Sequence, residues 1–394
     1  MRQHRTITIG VVTVFWMGCL LGCDVPNFGS IVAESSLSNE LSIEERQHRD
    51  LRVVFLFYDQ NELRPLVDQQ IAEIVQVEEK EDRVHVVIAR ASNSVPHGIS
   101  YVQDRSLRHI KIEALPRQPL EEPETLDLLL RGIATEFPAS KQLLVVSGHG
   151  RGWRGIGTFD ADRQRVLTGD ILARAVTELP PELSQVVILE AGWSGFADMI
   201  FPFRDKPLEI IAAPFNIVQR GMNHARWIEL SQRDSWHHSA LLDHLQQEMM
   251  NAATDHTVAV EPILLTSTNL ADLGSRLGAV VNSAINSISI ENLETLREHL
   301  LNGSTLPPGS DEAHITFDTL CEVISGEICG ALGTEARKIA LHLVTLDGSG
   351  KPKGVAEGYF TPEVREKYEF KRALAWAPDP QFERGFLSRL WFSQ

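Results

Sequence analysis

Gln142-Leu143-Leu144-Val145-Val146-Ser147-Gly148-His149-Gly150 is a short apolar run that breaks abruptly into small and polar residues. A run of this length without polar alternation reads as a strand covered on both faces, the condition of a parallel sheet flanked by helices. Ser147-Gly148-His149-Gly150 then marks the carboxyl end of that strand. Working outward, Arg52 to Tyr58 and Val84 to Ala89 have the same character. Gln185 to Leu189 is a further such run, ending in Glu190-Ala191-Gly192-Trp193-Ser194-Gly195, and Ile210 to Ala213 is another. Between them, Asn61 to Val77 has helical spacing at Leu63, Leu66, Ile71, Ile74 and Val75, and helices are expected from Pro123 to about Phe137 and from Thr168 to about Leu179. Strands alternating with helices specify an α/β fold with a mostly parallel sheet, and ligands of such sheets bind beyond the carboxyl ends of the strands. Two of those ends, at His149 and at Gly192, carry loops of small and polar residues.

From about Asp234 the pattern turns helical, near 235–250, 270–287 and 291–302, interrupted by the strand-like Pro262-Ile263-Leu264-Leu265-Thr266. After a Pro-Gly loop, Ile339 to Thr345, a turn at Asp347-Gly348-Ser349-Gly350 and Val355 to Phe360 together read as a hairpin. The expected organisation is therefore a leader over 1–22, a tether over 23–49, the α/β domain over 50–233 and a helical and hairpin region over 234–394.

Composition narrows the function classes. With 43% hydrophobic residues in 394 there is ample material for a core, and a formal charge of −16 leaves no basic footprint for nucleic acid. The four cysteines, at 19, 23, 321 and 329, rule out a disulfide-dense scaffold and show no zinc-ligand spacing, so neither a metal nor another cofactor is expected. His237 and His244 lie seven apart on an expected helix, about 10 Å along its axis, too far to chelate one ion; with His238 they read as a solvated face. Cys321 and Cys329 would stand ~12 Å apart on a single helix, but across a turn at Ser325-Gly326 they come within pairing distance. Two buried thiols and one structural disulfide both remain open.

Arg2, His4 and Arg5 precede an apolar stretch from Ile7 to Leu21, the layout of a secretory signal and too short and early for a membrane span. Leu20-Leu21-Gly22-Cys23 resembles a bacterial lipobox, which implies acylation of Cys23 and attachment of an exported body to a membrane of the cell envelope, on its periplasmic or extracellular side. An uncleaved anchor helix is the alternative, and it too leaves the body exported and tethered.

The order of these segments resembles the clostripain-type cysteine peptidases, relatives of caspases and gingipains, over about residues 52–285. Phe57-Tyr58-Asp59-Gln60-Asn61-Glu62-Leu63 is similar to that family's opening strand and acidic turn. Glu122-Pro123-Glu124-Thr125-Leu126, with Glu136-Phe137-Pro138-Ala139, is similar to the helix leading to its catalytic strand. Ser147-Gly148-His149-Gly150-Arg151-Gly152-Trp153 resembles the His-Gly-Gly-Gly-Trp signature, and Ile263 to Leu270 a later strand and turn. The resemblance implies a caspase-like three-layer sandwich, with His149 in the place of the general base.

It also exposes a departure. Where the family reads Asp-Ala-Cys-Leu-Met, this chain reads Glu190-Ala191-Gly192-Trp193-Ser194, so the nucleophile position is Gly192. Attack on a peptide carbonyl needs a thiolate beside an imidazole, and glycine has no side chain to offer. Ser194 is the nearest hydroxyl, displaced by up to ~6–7 Å if the chain is extended; it reads either as a substitute nucleophile or as a cap for a helix beginning near Phe196. By the resemblance, Glu190 would help recognise a basic side chain of a ligand with Gly150 beside it; alternatively its carboxylate bonds backbone amides at a helix start. His149 either preserves pocket polarity or bonds a neighbouring carbonyl. Ala213-Pro214-Phe215-Asn216 and Gly221-Met222-Asn223-His224 replace the family's acidic substrate loop, so a preference for Arg or Lys is not carried over. The expected function is that of a membrane-tethered pseudo-peptidase holding a peptide or protein partner in the former cleft. The alternatives are an active hydrolase with Ser194 attacking and His149 as base, and a purely structural envelope lipoprotein.

Overall fold

Successive residues of the central strands face two different helical layers. The computed structural model describes residues 41, 46–59, 63–77, 83–91, 99–110, 119–150, 152–157, 166–181, 183–204, 206–213, 222–231, 238–251, 262–266, 273, 276, 279–280, 289, 312–323, 327–330, 334–345, 355–356 and 359–360. The leader, Cys23, His237, Arg151, Phe215 and most of the helical stretches expected over 270–302 lie outside them.

Strands β1 (Arg49–Phe57), β2 (Val84–Arg90), β5 (Ala139–Ser147), β8 (Ser184–Glu190) and β9 (Leu208–Ala212) run parallel. The antiparallel hairpin β3 (Ile99–Gln103) and β4 (Ser106–Ile110) extends one side of the sheet, and antiparallel β10 (Ile263–Leu265) closes the other. The order is β10-β9-β8-β5-β1-β2-β3-β4. A two-stranded ribbon, β6 (Ile156–Gly157) with β7 (Val166–Leu167), stands beyond the end of β5.

Pleating assigns the faces. Val54, Leu56, Leu144, Val146, Val187 and Leu189 meet one apolar cluster with the helices α2 (Pro123–Glu136), α3 (Gly169–Thr177) and the short α4 (Ala197–Ile200). Val53, Phe55, Phe57, Leu143, Val145, Val186 and Ile188 meet a second cluster with α1 (Arg64–Val75), α5 (His224–Ser231) and α6 (His238–Asn251). The helices form where the spacing permits one buried stripe. In α2, Leu126, Leu129, Leu130 and Ile133 are buried after a proline in the first turn, where its missing N–H costs nothing. In α3 the Thr168 hydroxyl accepts from Ile171 N at 3.4 Å, as an N-cap should. The α/β expectation of helices on both faces of a mostly parallel sheet is thus what is observed.

One expectation is corrected. Among the described residues, Ala340–Thr345 (β12) does not pair with Val355 to Phe360. It pairs antiparallel with β11 (Glu312–Thr316), while β13 (Val355–Ala356) and β14 (Tyr359–Phe360) make a small ribbon of their own. The expected turn at Asp347 to Gly350 lies outside the described residues, and the partner of β12 is a distant segment, β11, which has no apolar run to announce it. The hairpin β3–β4 had no sequence signal, because its turn uses Asp104 and Arg105, both with φ near +50°, in place of Asn-Gly. Cys321 on α7 (Phe317–Val323) and Cys329 on α8 (Glu327–Gly330) are joined in a disulfide with Cα atoms 5.6 Å apart, so of the two open readings the structure has the structural bridge. A last short helix, α9 (Thr334–Arg337), lies against β10, where Glu335 accepts from Leu264 N at 2.8 Å.

Candidate functional site

The carboxyl ends of β1, β5 and β8 are bound together by the main chain. Tyr58 N donates to Ser147 O at 2.8 Å and Gly148 N to Glu190 O at 3.3 Å. Gly148 is needed there, since a Cβ on it would fall 2.8 Å from the Tyr58 Cβ and 3.0 Å from Ile156 Cγ2. The Tyr58 ring lies on the α2 side, and burial, with the Glu121 carboxylate second, drives its hydroxyl pKa well above the ordinary value.

From this floor the chain climbs into the β6–β7 ribbon. His149 is half-buried, its carbonyl accepting from Gly157 N at 3.0 Å, and Gly150 bridges to Ile156. Gly150 also packs on Gly192: an added Cβ would overlap the Gly192 carbonyl and sit 2.8 Å from its nitrogen. The structure therefore brings together the two strand-end loops singled out in the sequence, and does so backbone to backbone.

The turn after β8 is held differently from a catalytic elbow. Trp193 takes a left-handed backbone (φ 60°) and is buried at 7% exposure. That conformation costs a non-glycine residue about 1–2 kcal/mol, so the surrounding structure must impose it. Ser194 supplies part of the restraint. Its hydroxyl, 1% exposed, donates to Leu189 O at 2.9 Å and accepts from Ala213 N at 3.0 Å, while Gly195 N donates to Ala213 O at 2.7 Å. The hydroxyl thus joins β8 to the end of β9. It does not cap α4, which starts from Phe196 without a side-chain cap.

Glu190 lies on the opposite face from the β6–β7 ribbon's contacts, toward α5, and is fully buried. Its Oε2 accepts from His224 Nε2 at 2.7 Å, and no helix-start amide is its partner. The His224 ring sits edge-on to Phe55, Phe57 and Trp227, with centroids 5.0, 5.8 and 4.7 Å away. Helix α5 is itself pinned to α6, because Glu248 accepts from Asn223 N at 3.1 Å and Trp227 Nε1 at 2.5 Å. Sequence reasoning missed His224; its only signal was the Asn-His pair at a helix start, where the Asn223 side chain accepts from Arg226 N at 2.9 Å. On β1 and β2 the edge ends in Asp59 and Arg90, whose guanidinium forks onto the buried carboxylate and reaches Asp68 at 2.7 Å.

Elsewhere, His244 pairs with Glu248 at 3.2 Å along α6, and Cys321 and Cys329 are tied up with each other. Among the described residues no group of three or more His, Cys, Asp or Glu is placed to hold a metal ion. None of their helices is long and apolar enough to cross a membrane.

No family model matches the chain, and no curated protein does. Solved structures do. An inactive zymogen of a C11 protease from Parabacteroides distasonis superposes with a TM-score of 0.56 at 15% identity, over 84% of this chain and 99% of that one. The chain has the fold of the C11, or clostripain-type, cysteine proteases. A secreted C11 cysteine protease from Bacteroides thetaiotaomicron, in complex with an irreversible peptide inhibitor, superposes with a TM-score of 0.55 at 11% identity, over 83% of this chain and 98% of that one. Nearly the whole of each of these C11 structures is therefore covered. Within the C11 fold the loops at His149 and Gly192 occupy adjoining carboxyl ends, at the edge where an α/β sheet places its ligands.

Proposed function

We propose that this chain is an exported, membrane-tethered pseudo-peptidase of C11 fold, holding a peptide or protein partner at the carboxyl edge of its sheet instead of cleaving it. One observation carries the reading. Beside the His149 loop stands Gly192, without a side chain, and the closest hydroxyl in sequence, Ser194, is buried with both of its hydrogen bonds spent on Leu189 O and Ala213 N. A serine nucleophile needs its proton directed at a base, whereas this one directs it at a carbonyl. In this reading Glu190 anchors α5 through His224, and recognition of a partner falls to the main chain and side chains of the His149 loop.

Export is supported by the lipobox-like leader, by the secreted C11 neighbour and by the Cys321–Cys329 disulfide, which suits an oxidising compartment. The purely structural reading has one observation in its favour, the burial of Trp193 and Glu190 beside the former nucleophile position. Arg- and Lys-peptide reporters and a serine-directed fluorophosphonate test the proposal. Neither turnover nor labelling is expected, and labelling that disappears in Ser194→Ala would overturn it in favour of an active hydrolase.

A further inference from the structure

Ser147 Oγ, Glu190 Oε1 and His224 Nδ1 are among the buried polar atoms at the carboxyl edge that lack a hydrogen-bond partner among the described residues. Their residues are 1%, 0% and 2% exposed. Ser147 is in register with Phe57 on one side and Glu190 on the other, because β5 lies between β1 and β8. His224 touches both flanking strands, Glu190 through its Nε2 and Phe55 and Phe57 through its ring. The imidazole therefore spans the end of β5, over Ser147, whose side chain shares the face of Leu143 and Val145.

Serine, histidine and a carboxylate are also the residue types of a hydrolytic triad. Here Ser147 and His224 make no hydrogen bond to each other, and their burial leaves no route for an ester or amide. A donor and acceptor census points elsewhere. Glu190 Oε1 needs a donor. His224 Nδ1 needs a donor when Nε2 carries the proton facing Oε2, and the Ser147 hydroxyl has a proton to place.

We propose that Ser147, Glu190 and His224 enclose a binding site for one buried water molecule between the sheet and α5. The water donates to Glu190 Oε1 and His224 Nδ1 and accepts from Ser147 Oγ, so three partners satisfy it, the usual number for internal water. An ammonium ion only donates and leaves the serine proton without an acceptor, an anion without a proton offers no donor to Glu190 Oε1, and the set lacks a third metal-binding side chain. The site hydrates the joint that ties β8, next to Gly192, to the helix layer, and it does not depend on whether the cleft is catalytically dead.

A crystal structure of the full chain that shows ordered solvent tests this. The expected result is one solvent peak about 2.6–3.2 Å from each of the three atoms, and its loss in Ser147→Val, whose added methyl takes the hydroxyl's side of the cluster. A direct hydrogen bond from Ser147 to His224 or Glu190 with no peak between them would overturn the proposal, as would cation-like coordination of the peak. If Ser147→Val does not fold, the wild-type structure alone decides.

Discussion

Gly150 rests on Gly192 with no space for a methyl group between them, so the loop that carries His149 and the loop that would carry a nucleophile touch through bare backbone. Gly150→Ala must push the two loops apart. Overpacking against a rigid carbonyl costs about 1–3 kcal/mol or more, and the expected result is a lower urea midpoint with an unchanged m-value. An alanine variant as stable as wild type would mean that the loops are not in contact.

Ser194 is expected to behave as a strut. Ser194→Ala leaves Leu189 O and Ala213 N buried without their side-chain partner, at a cost of about 1–3 kcal/mol. Chemical denaturation measures it. A neutral substitution would contradict the strut and reopen a chemical role for the hydroxyl.

Much of this architecture was legible in the chain because it rests on local pattern. The apolar runs at Val53 to Phe57, Leu143 to Val146 and Val186 to Leu189 specified buried parallel strands, and the stripes of α2 and α3 specified their cover. What was not legible depends on contacts between distant segments. Nothing near Glu190 announces that its partner is His224, 34 positions on, or that Ser194 will bond Ala213 and not the helix that follows it. The pairing of β12 with β11 was hidden in the same way.

The amino end of the sheet is expected to make the protein acid-sensitive. Burial, with Arg49 second, lowers the His85 pKa from 6.5 to about 3, while its Nε2 stays 3.0 Å from Gln47 O. The folded pKa lies below the unfolded one, so the unfolded chain binds the extra proton as pH falls below 6.5. Stability is therefore full above that value and declines toward pH 3, by on the order of 4 kcal/mol from this residue. Urea midpoints at pH 7 and pH 4 should diverge in the wild type and much less in His85→Gln; an equal midpoint shift in both would contradict the assignment.

Reducing the Cys321–Cys329 bridge releases a loop of eight residues, for which chain entropy gives a loss on the order of 2 kcal/mol. Melting with and without a phosphine reductant, with thiols counted by mass, should show a lower Tm only when two thiols become alkylatable.

The central claim is that a cleft of C11 fold persists without its nucleophile, and Gly192→Cys tests it most directly. Gly192 is not among the left-handed glycines, so no backbone strain opposes a side chain there, and the remaining body cysteines are silent within their disulfide. The account predicts that wild-type protein ignores a peptidyl electrophile, that Gly192→Cys is labelled at the new thiol, and that adding His149→Ala slows the labelling by roughly 10²-fold or more. Turnover of peptides by the wild type, or an inert Gly192→Cys variant that is otherwise folded, would contradict it.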